Sequence, residues 1–176
     1  MKLYEALGLE PALALHMEEV KKHFYERSRQ WHPDKFSRAS AAEQDLALEM
    51  TAVLNDAYRT LRDPVSRAEY FLKERGIELS KDAPAELLEE VFELNMALEE
   101  LRDGDASVRA QLEQSAAKFR SMQMVSDTEL ASLFIHHDAA PGPAKLDQIR
   151  AALNRRRYVS NLVRDVEKEL HVHSAN

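Results

Sequence analysis

The residue that most constrains this chain is Pro33. It stands in Arg29-Gln30-Trp31-His32-Pro33-Asp34-Lys35-Phe36, between two stretches whose apolar residues recur at helical steps. Before it come Met17, Val20, Phe24 and Trp31, and after it come Leu46, Met50, Val53, Ala57 and Leu61. These spacings put each set on one face of an amphipathic helix, and both faces are expected to be buried. Proline lacks the N–H that a helix interior needs, and its ring pushes the preceding residue out of the α region. The two helices must part at His32-Pro33-Asp34. Folding them back on each other gives an antiparallel hairpin with that tripeptide displayed at a stiff corner.

The rest of the chain extends the helical pattern. Tyr4, Leu7 and Leu9 around Gly8 form a brief helix and turn, and Ser40 is placed to cap the helix that ends before Asp63-Pro64. A short helix from Val65 to Lys73 stops at Gly76, a suitable C-cap. Three longer helical patterns follow at roughly 84–102, 106–136 and 144–171, punctuated by Pro84, Gly104 and Pro141-Gly142-Pro143, with a break expected in the middle one near Ser126-Asp127. Short connections between three helices favour an antiparallel bundle. With four glycines and no cysteine, β-sandwich and disulfide scaffolds are disfavoured, and Cys-ligated zinc or a Cys-held iron–sulfur cluster is excluded. The fold class is all-α.

Charge and targeting narrow the function. A net charge of −7 argues against general nucleic-acid binding. No apolar run reaches membrane-spanning length, and Met1-Lys2-Leu3-Tyr4-Glu5 has the character of neither a signal nor a transit segment, so a cytoplasmic location is expected. Residues 16–38 reverse the overall sign, with Lys21, Lys22, Arg27, Arg29, Lys35 and Arg38 against Glu18, Glu19, Glu26 and Asp34. On charge alone this is an ordinary solvated helix face. Beside the corner it becomes a steering surface for an acidic partner.

The first bundle helix carries a second feature. Leu87, Val91, Leu94, Leu98 and Leu101 complete a core stripe, and Leu88, Phe92 and Met96 add a second apolar row beside it. Glu89, Glu93, Glu99 and Glu100 surround them. An apolar strip rimmed by acids suits a docking surface. A helix between two neighbours also needs a wide apolar face, and the pattern alone fits both.

The segment Trp31-His32-Pro33-Asp34-Lys35-Phe36 resembles the J-domain signature. Leu54-Asn55-Asp56-Ala57-Tyr58-Arg59-Thr60-Leu61 with Asp63-Pro64 resembles the helix that follows it. The similarity spans residues 1–75. Phe36, the Arg67-Ala68-Glu69-Tyr70 segment and the acidic three-helix tail are similar to HscB-type co-chaperones of iron–sulfur cluster assembly. No Gly/Phe-rich linker or cysteine zinc repeat follows, as in general co-chaperones of the DnaJ type.

The resemblance implies a J domain over 1–75, a connector over 76–83 and a three-helix bundle over 84–176. It implies that His32, Pro33 and Asp34 trigger ATP hydrolysis on a DnaK/HscA-class chaperone, with Lys21, Lys22, Arg29 and Lys35 guiding the approach. The nucleotide and its magnesium then belong to that partner, so the chain is not an enzyme and needs no cofactor. It further implies that the bundle binds the iron–sulfur cluster scaffold protein through Leu88, Phe92, Glu93, Met96 and Glu100, with Tyr158 contributing from the last helix. A J-domain adaptor for a different client keeps the first 75 residues and uses the bundle otherwise. A hydrolase or metal enzyme with an incidental His-Pro-Asp is the remaining alternative.

Other motifs read as structure. His136-His137-Asp138 and His171-Val172-His173 lack the i, i+4 ligand pairing of a helical metal site and are expected in a solvated loop and tail. Arg155-Arg156-Arg157 is expected to pair with acids on neighbouring helices.

Overall fold

The structure, a computed structural model, describes residues 2–172, which hold seven α-helices and no strand. The chain divides into two compact units. One comprises the residues up to Ile77 together with Phe134–Pro141; the other comprises Glu78–Leu133 and the residues from Gly142 onward.

In the first unit, α1 (Leu3–Leu7) and α2 (Met17–Gln30) pack on α3 (Ala41–Arg62), which leads into α4 (Pro64–Lys73). Gly8 ends α1 at φ 66°, where it and Leu9 close hydrogen bonds onto the Glu5 and Tyr4 carbonyls. A Cβ there would stand 2.5 Å from the Arg27 guanidinium, the far end of a flexible side chain that can shift, so it is the left-handed backbone that favours glycine. Ser40 and Glu43 form a reciprocal capping box at the start of α3. The Ser40 hydroxyl holds the Glu43 carboxyl below its ordinary pKa. Asp63 caps α4, accepting from the Ser66 N–H at 2.7 Å, and Pro64 fills the first helical position.

The core of this unit is built from Tyr4, Leu7, Leu13, Val20, Leu54, Leu61, Phe71 and Leu72 with several alanines. Three expectations need correction. Leu46 is 46% exposed, and the buried residues of α3 are Ala47, Leu54, Ala57 and Leu61. The contact side is thus turned toward the alanines, which let neighbouring helices approach closely. Met17, the first residue of α2, is also exposed, and Trp31 is only half-buried, stacked on Phe36 at 5.9 Å.

The loop between α1 and α2 has its backbone held by side chains from distant positions. Tyr4 Oη donates to the Ala12 carbonyl at 2.7 Å, and burial pushes this phenol well above its usual pKa. Arg67, itself buried, donates from Nε to the Leu13 carbonyl at 2.8 Å and from Nη1 to the Leu61 carbonyl at 2.6 Å. Asp138 accepts on Oδ2 from the Leu13 and Ala14 N–H groups at 2.9 and 2.7 Å. The neighbouring His137 is buried edge-on against Phe71, with Nδ1 3.0 Å from the other Asp138 oxygen. His136, His137 and Asp138 therefore lie in a helix, and the latter two have structural partners; they are not a solvated loop.

The second unit contains α5 (Leu88–Arg102), most of α6 (Arg109–Ala139) and α7 (Pro143–Val172). Short 3-10 turns at Ala85–Leu87 and Ala106–Val108 precede α5 and α6. Leu87, Leu94, Leu98 and Leu101 bury against Val108, Leu112, Ala116 and Phe119 and against Val159, Leu162, Val163 and Val166. Each full leucine burial is worth about 1.5–3 kcal/mol, so this seam is the main source of the unit's stability. The expected break at Ser126-Asp127 does not occur. Ser126 is buried in an unbroken α6, Asp127 pairs with Arg156, and the Thr128 hydroxyl bonds back to the Met124 carbonyl. Arg155 reaches Glu86 and Glu129, and Arg157 donates to the Ser80 carbonyl, so the arginine run ties α7 to its neighbours.

Candidate protein-binding sites

The corner is built by Pro33 and by the imidazole before it. His32 has extended backbone, and its Nδ1 accepts from the Asp34 N–H at 3.3 Å, capping the 3-10 turn Pro33–Phe36. From α3, the Thr51 hydroxyl reaches the Trp31 carbonyl at 3.3 Å. On this support the Asp34 side chain is 91% exposed and that of His32 58% exposed, with Asp34 Oδ2 3.5 Å from His32 Nδ1. The exposed carboxylate is free to accept charge-assisted bonds from an incoming cation. Lys21, Lys22, Arg29 and Lys35 are all exposed.

A groove of about 420 Å³ opens beside the corner, lined by Tyr25, Ser28, Arg29, His32 and Lys35. Tyr25, absent from the sequence reading, is 53% exposed there. The spacing of Tyr25, Ser28, Arg29 and His32 follows one helix face, so periodicity counted back from the corner, instead of along the buried face, would have found it.

On α5 the second apolar row faces outward. Leu88, Phe92 and Met96 are 56%, 67% and 45% exposed, and Glu93 and Glu100 are exposed beside them. The inner row, Leu87, Leu94, Leu98 and Leu101, is buried, so the two rows divide between core and surface. Tyr158 differs from these residues: it is half-buried at the margin of the bundle core on α7. Glu90 is turned to Lys118 at 3.3 Å, and its own backbone N–H together with that ammonium holds its carboxyl below the ordinary range. Among the described residues no group of three or more His, Asp or Glu is placed to hold a metal; His173 lies outside them.

Comparison with known proteins covers both segments of the chain. A family model described as the DnaJ domain matches residues 2–70, and one described as the HSCB C-terminal oligomerisation domain matches 83–167. A DnaJ domain implies a DnaK-class chaperone as partner. A Shewanella loihica protein named co-chaperone protein HscB homolog is 32% identical over 167 residues, covering 88% of this chain and 96% of the relative. A Vibrio vulnificus protein of the same name is 30% identical over 172 residues, covering 95% of each. Among solved structures, the chaperone HscB from Vibrio cholerae superposes with a TM-score of 0.67 at 28% identity over 96% of both chains. Human co-chaperone HscB shares the fold, with a TM-score of 0.71 at 23% identity over 96% of this chain and 82% of its own. With both segments matched in order and the relatives aligned almost end to end, the chain belongs to the HscB co-chaperone family.

Proposed function

We propose that this protein stimulates ATP hydrolysis by a DnaK/HscA-class chaperone through His32, Pro33 and Asp34, and delivers to it the scaffold protein of iron–sulfur cluster assembly. The observation that carries the reading is the pairing, in one chain, of an exposed His-Pro-Asp corner with an exposed apolar strip on a separate unit. Lys21, Lys22, Arg29 and Lys35 steer the chaperone, and Asp34 accepts bonds from a cation of its ATPase machinery. Leu88, Phe92 and Met96 supply the apolar contact for the scaffold, Glu93 and Glu100 its polar rim, and Tyr158 an edge contact from α7. No bond is made or broken on this chain, and it works in the cytoplasm. Residues 1–75 act as the chaperone-engaging module, 76–83 as the connector and 84–176 as the client-binding bundle.

ATP turnover of a DnaK/HscA-class chaperone, measured with this protein and with or without the scaffold, tests the reading. Synergistic stimulation is expected. Stimulation that ignores the scaffold would make the protein an adaptor for a different client, and no stimulation would sink both versions. The family description of residues 83–167 supports a further role for the bundle, binding a second copy of the chain.

A further inference from the structure

The outward side of α6 carries no charge over several turns. Gln114, Ala117, Ser121, Met124, Val125, Thr128, Ala131 and Ser132 fall within an arc of roughly 120° at about 100° per residue. All eight are exposed, Met124 at 71% and Val125 at 65%. Charged residues make up 31% of the sequence, so a charge-free exposed arc of this length is unusual for it. Four charges that flank the arc along its length are turned away from it. Lys118 pairs with Glu90, Arg120 with Glu167, Asp127 with Arg156 and Glu129 with Arg155, each bond reaching α5 or α7. The Thr128 hydroxyl is already satisfied by the Met124 carbonyl, so covering it strands no donor.

We propose that this face of α6 is where a second copy of the chain docks, α6 against α6 in antiparallel register about Met124 and Val125. The proposal rests on the self-association reading above and assigns it a surface. Two features fit a copy better than another partner. Each chain carries −7, so two copies repel on average at long range, and a neutral face lets them approach without opposing like charges. The face is also self-complementary under a two-fold axis: Ser121 meets Thr128, Ala117 meets Ser132, and the large apolar pair meets itself. Small residues on either side of Met124 and Val125 let the helices close on that central contact.

The chain has no cysteine, so introduced thiols report the register directly. In the antiparallel pair an introduced thiol at 121 lies near one at 128 of the other copy. Two copies of residue 121 lie about seven residues, roughly 10 Å, apart along the helix, beyond disulfide reach. Under mild oxidation, a mixture of full-length Ser121→Cys and Thr128→Cys proteins should cross-link, and either alone should not. Sedimentation velocity across a concentration series should show reversible dimerisation, weakened by about tenfold or more in Met124→Glu, where two carboxylates face each other. Phe92→Glu should leave it unchanged, and Met124→Glu should keep full chaperone stimulation.

A monomer at every concentration overturns the self-association reading and this surface with it, without touching the co-chaperone reading. Dimers indifferent to Met124→Glu, dimers abolished by Phe92→Glu, or Ser121→Cys cross-linking to itself overturn the surface alone. A monomer whose scaffold-dependent stimulation falls in Met124→Glu would assign the face to the scaffold instead.

Discussion

Replacing Asp138 by alanine measures how firmly the loop before α2 is held. Its Oδ2 accepts from Leu13 at 2.9 Å and from Ala14 at 2.7 Å, and bonds to a charged acceptor are worth about 1.5–3 kcal/mol each. The two losses are unequal. Leu13 is fully buried, so its N–H finds no water once the carboxylate is gone, whereas Ala14 is exposed and rehydrates. One bond at full value and a fraction of the other sum to about 2–4 kcal/mol. At about 2–4 °C per kcal/mol for a chain of this length, the melting temperature falls by about 4–16 °C. Asp138→Asn keeps an acceptor oxygen without the charge and should lose about half as much. Far-UV circular dichroism on the full chain gives the melting temperature. Hydrogen exchange should show the Leu13 and Ala14 amides unprotected in the alanine variant, while those of α5 are unchanged. A variant with the parent's melting temperature and the parent's protection at Leu13 would refute the assignment, since the carboxylate would then not be holding the loop.

Three further outcomes follow from the geometry. Asp34→Asn should abolish chaperone stimulation in an ATPase assay yet melt within about 0.5 kcal/mol of the parent, because its side chain is almost fully exposed; a large loss of stability would make Asp34 structural. Joint replacement of Leu88, Phe92 and Met96 by alanine should weaken scaffold binding in calorimetry while sparing scaffold-independent stimulation. As exposed residues they should avoid the roughly 2–5 kcal/mol per site that a core leucine would lose, so unfolding of the triple variant would contradict their placement. Burial raises the Tyr4 pKa, so the folded state keeps its phenol proton when the unfolded state has released it. The resulting stability is intact below the ordinary phenol value of about 10 and is lost as pH rises beyond it. Tyr4→Phe should flatten that alkaline slope in denaturant titrations between neutral and strongly alkaline pH, and an unchanged slope would mean another group sets it.

How much of this was legible in the sequence depended on whether the signal was local. Pro33 announced the corner because proline's restriction acts on its own residue and its neighbour. Ser40 announced its cap because the box closes within three residues. The two rows of α5 were visible as rows, but which faced water was not, since that is decided by α6 and α7. Leu46 was misplaced for a related reason: hydropathy favours leucine over alanine as a core residue, whereas the packing of α3 selected Ala47 for its small size.

The least legible contact was that of Asp138, whose partners lie 125 and 124 positions away. Read locally, His136-His137-Asp138 offered polar residues at the end of a helix, and a solvated loop was the economical expectation. Only the fold reveals that Leu13 and Ala14 present unpaired N–H groups just where the carboxylate arrives, and that Phe71 covers the His137 ring. A buried backbone donor needs an acceptor wherever the chain can supply one, so such a group constrains distant positions without leaving a local pattern. The same reasoning separates the two kinds of polar cluster in this protein. Asp138 is bonded to buried backbone and is needed for the loop's conformation, whereas Asp34 makes only a local contact with the His32 cap and leaves its carboxylate to solvent. An acid whose bonding capacity the fold does not use is available to another protein, and we propose the corner, with its exposed carboxylate on a rigid turn, as the part of the first unit that meets one.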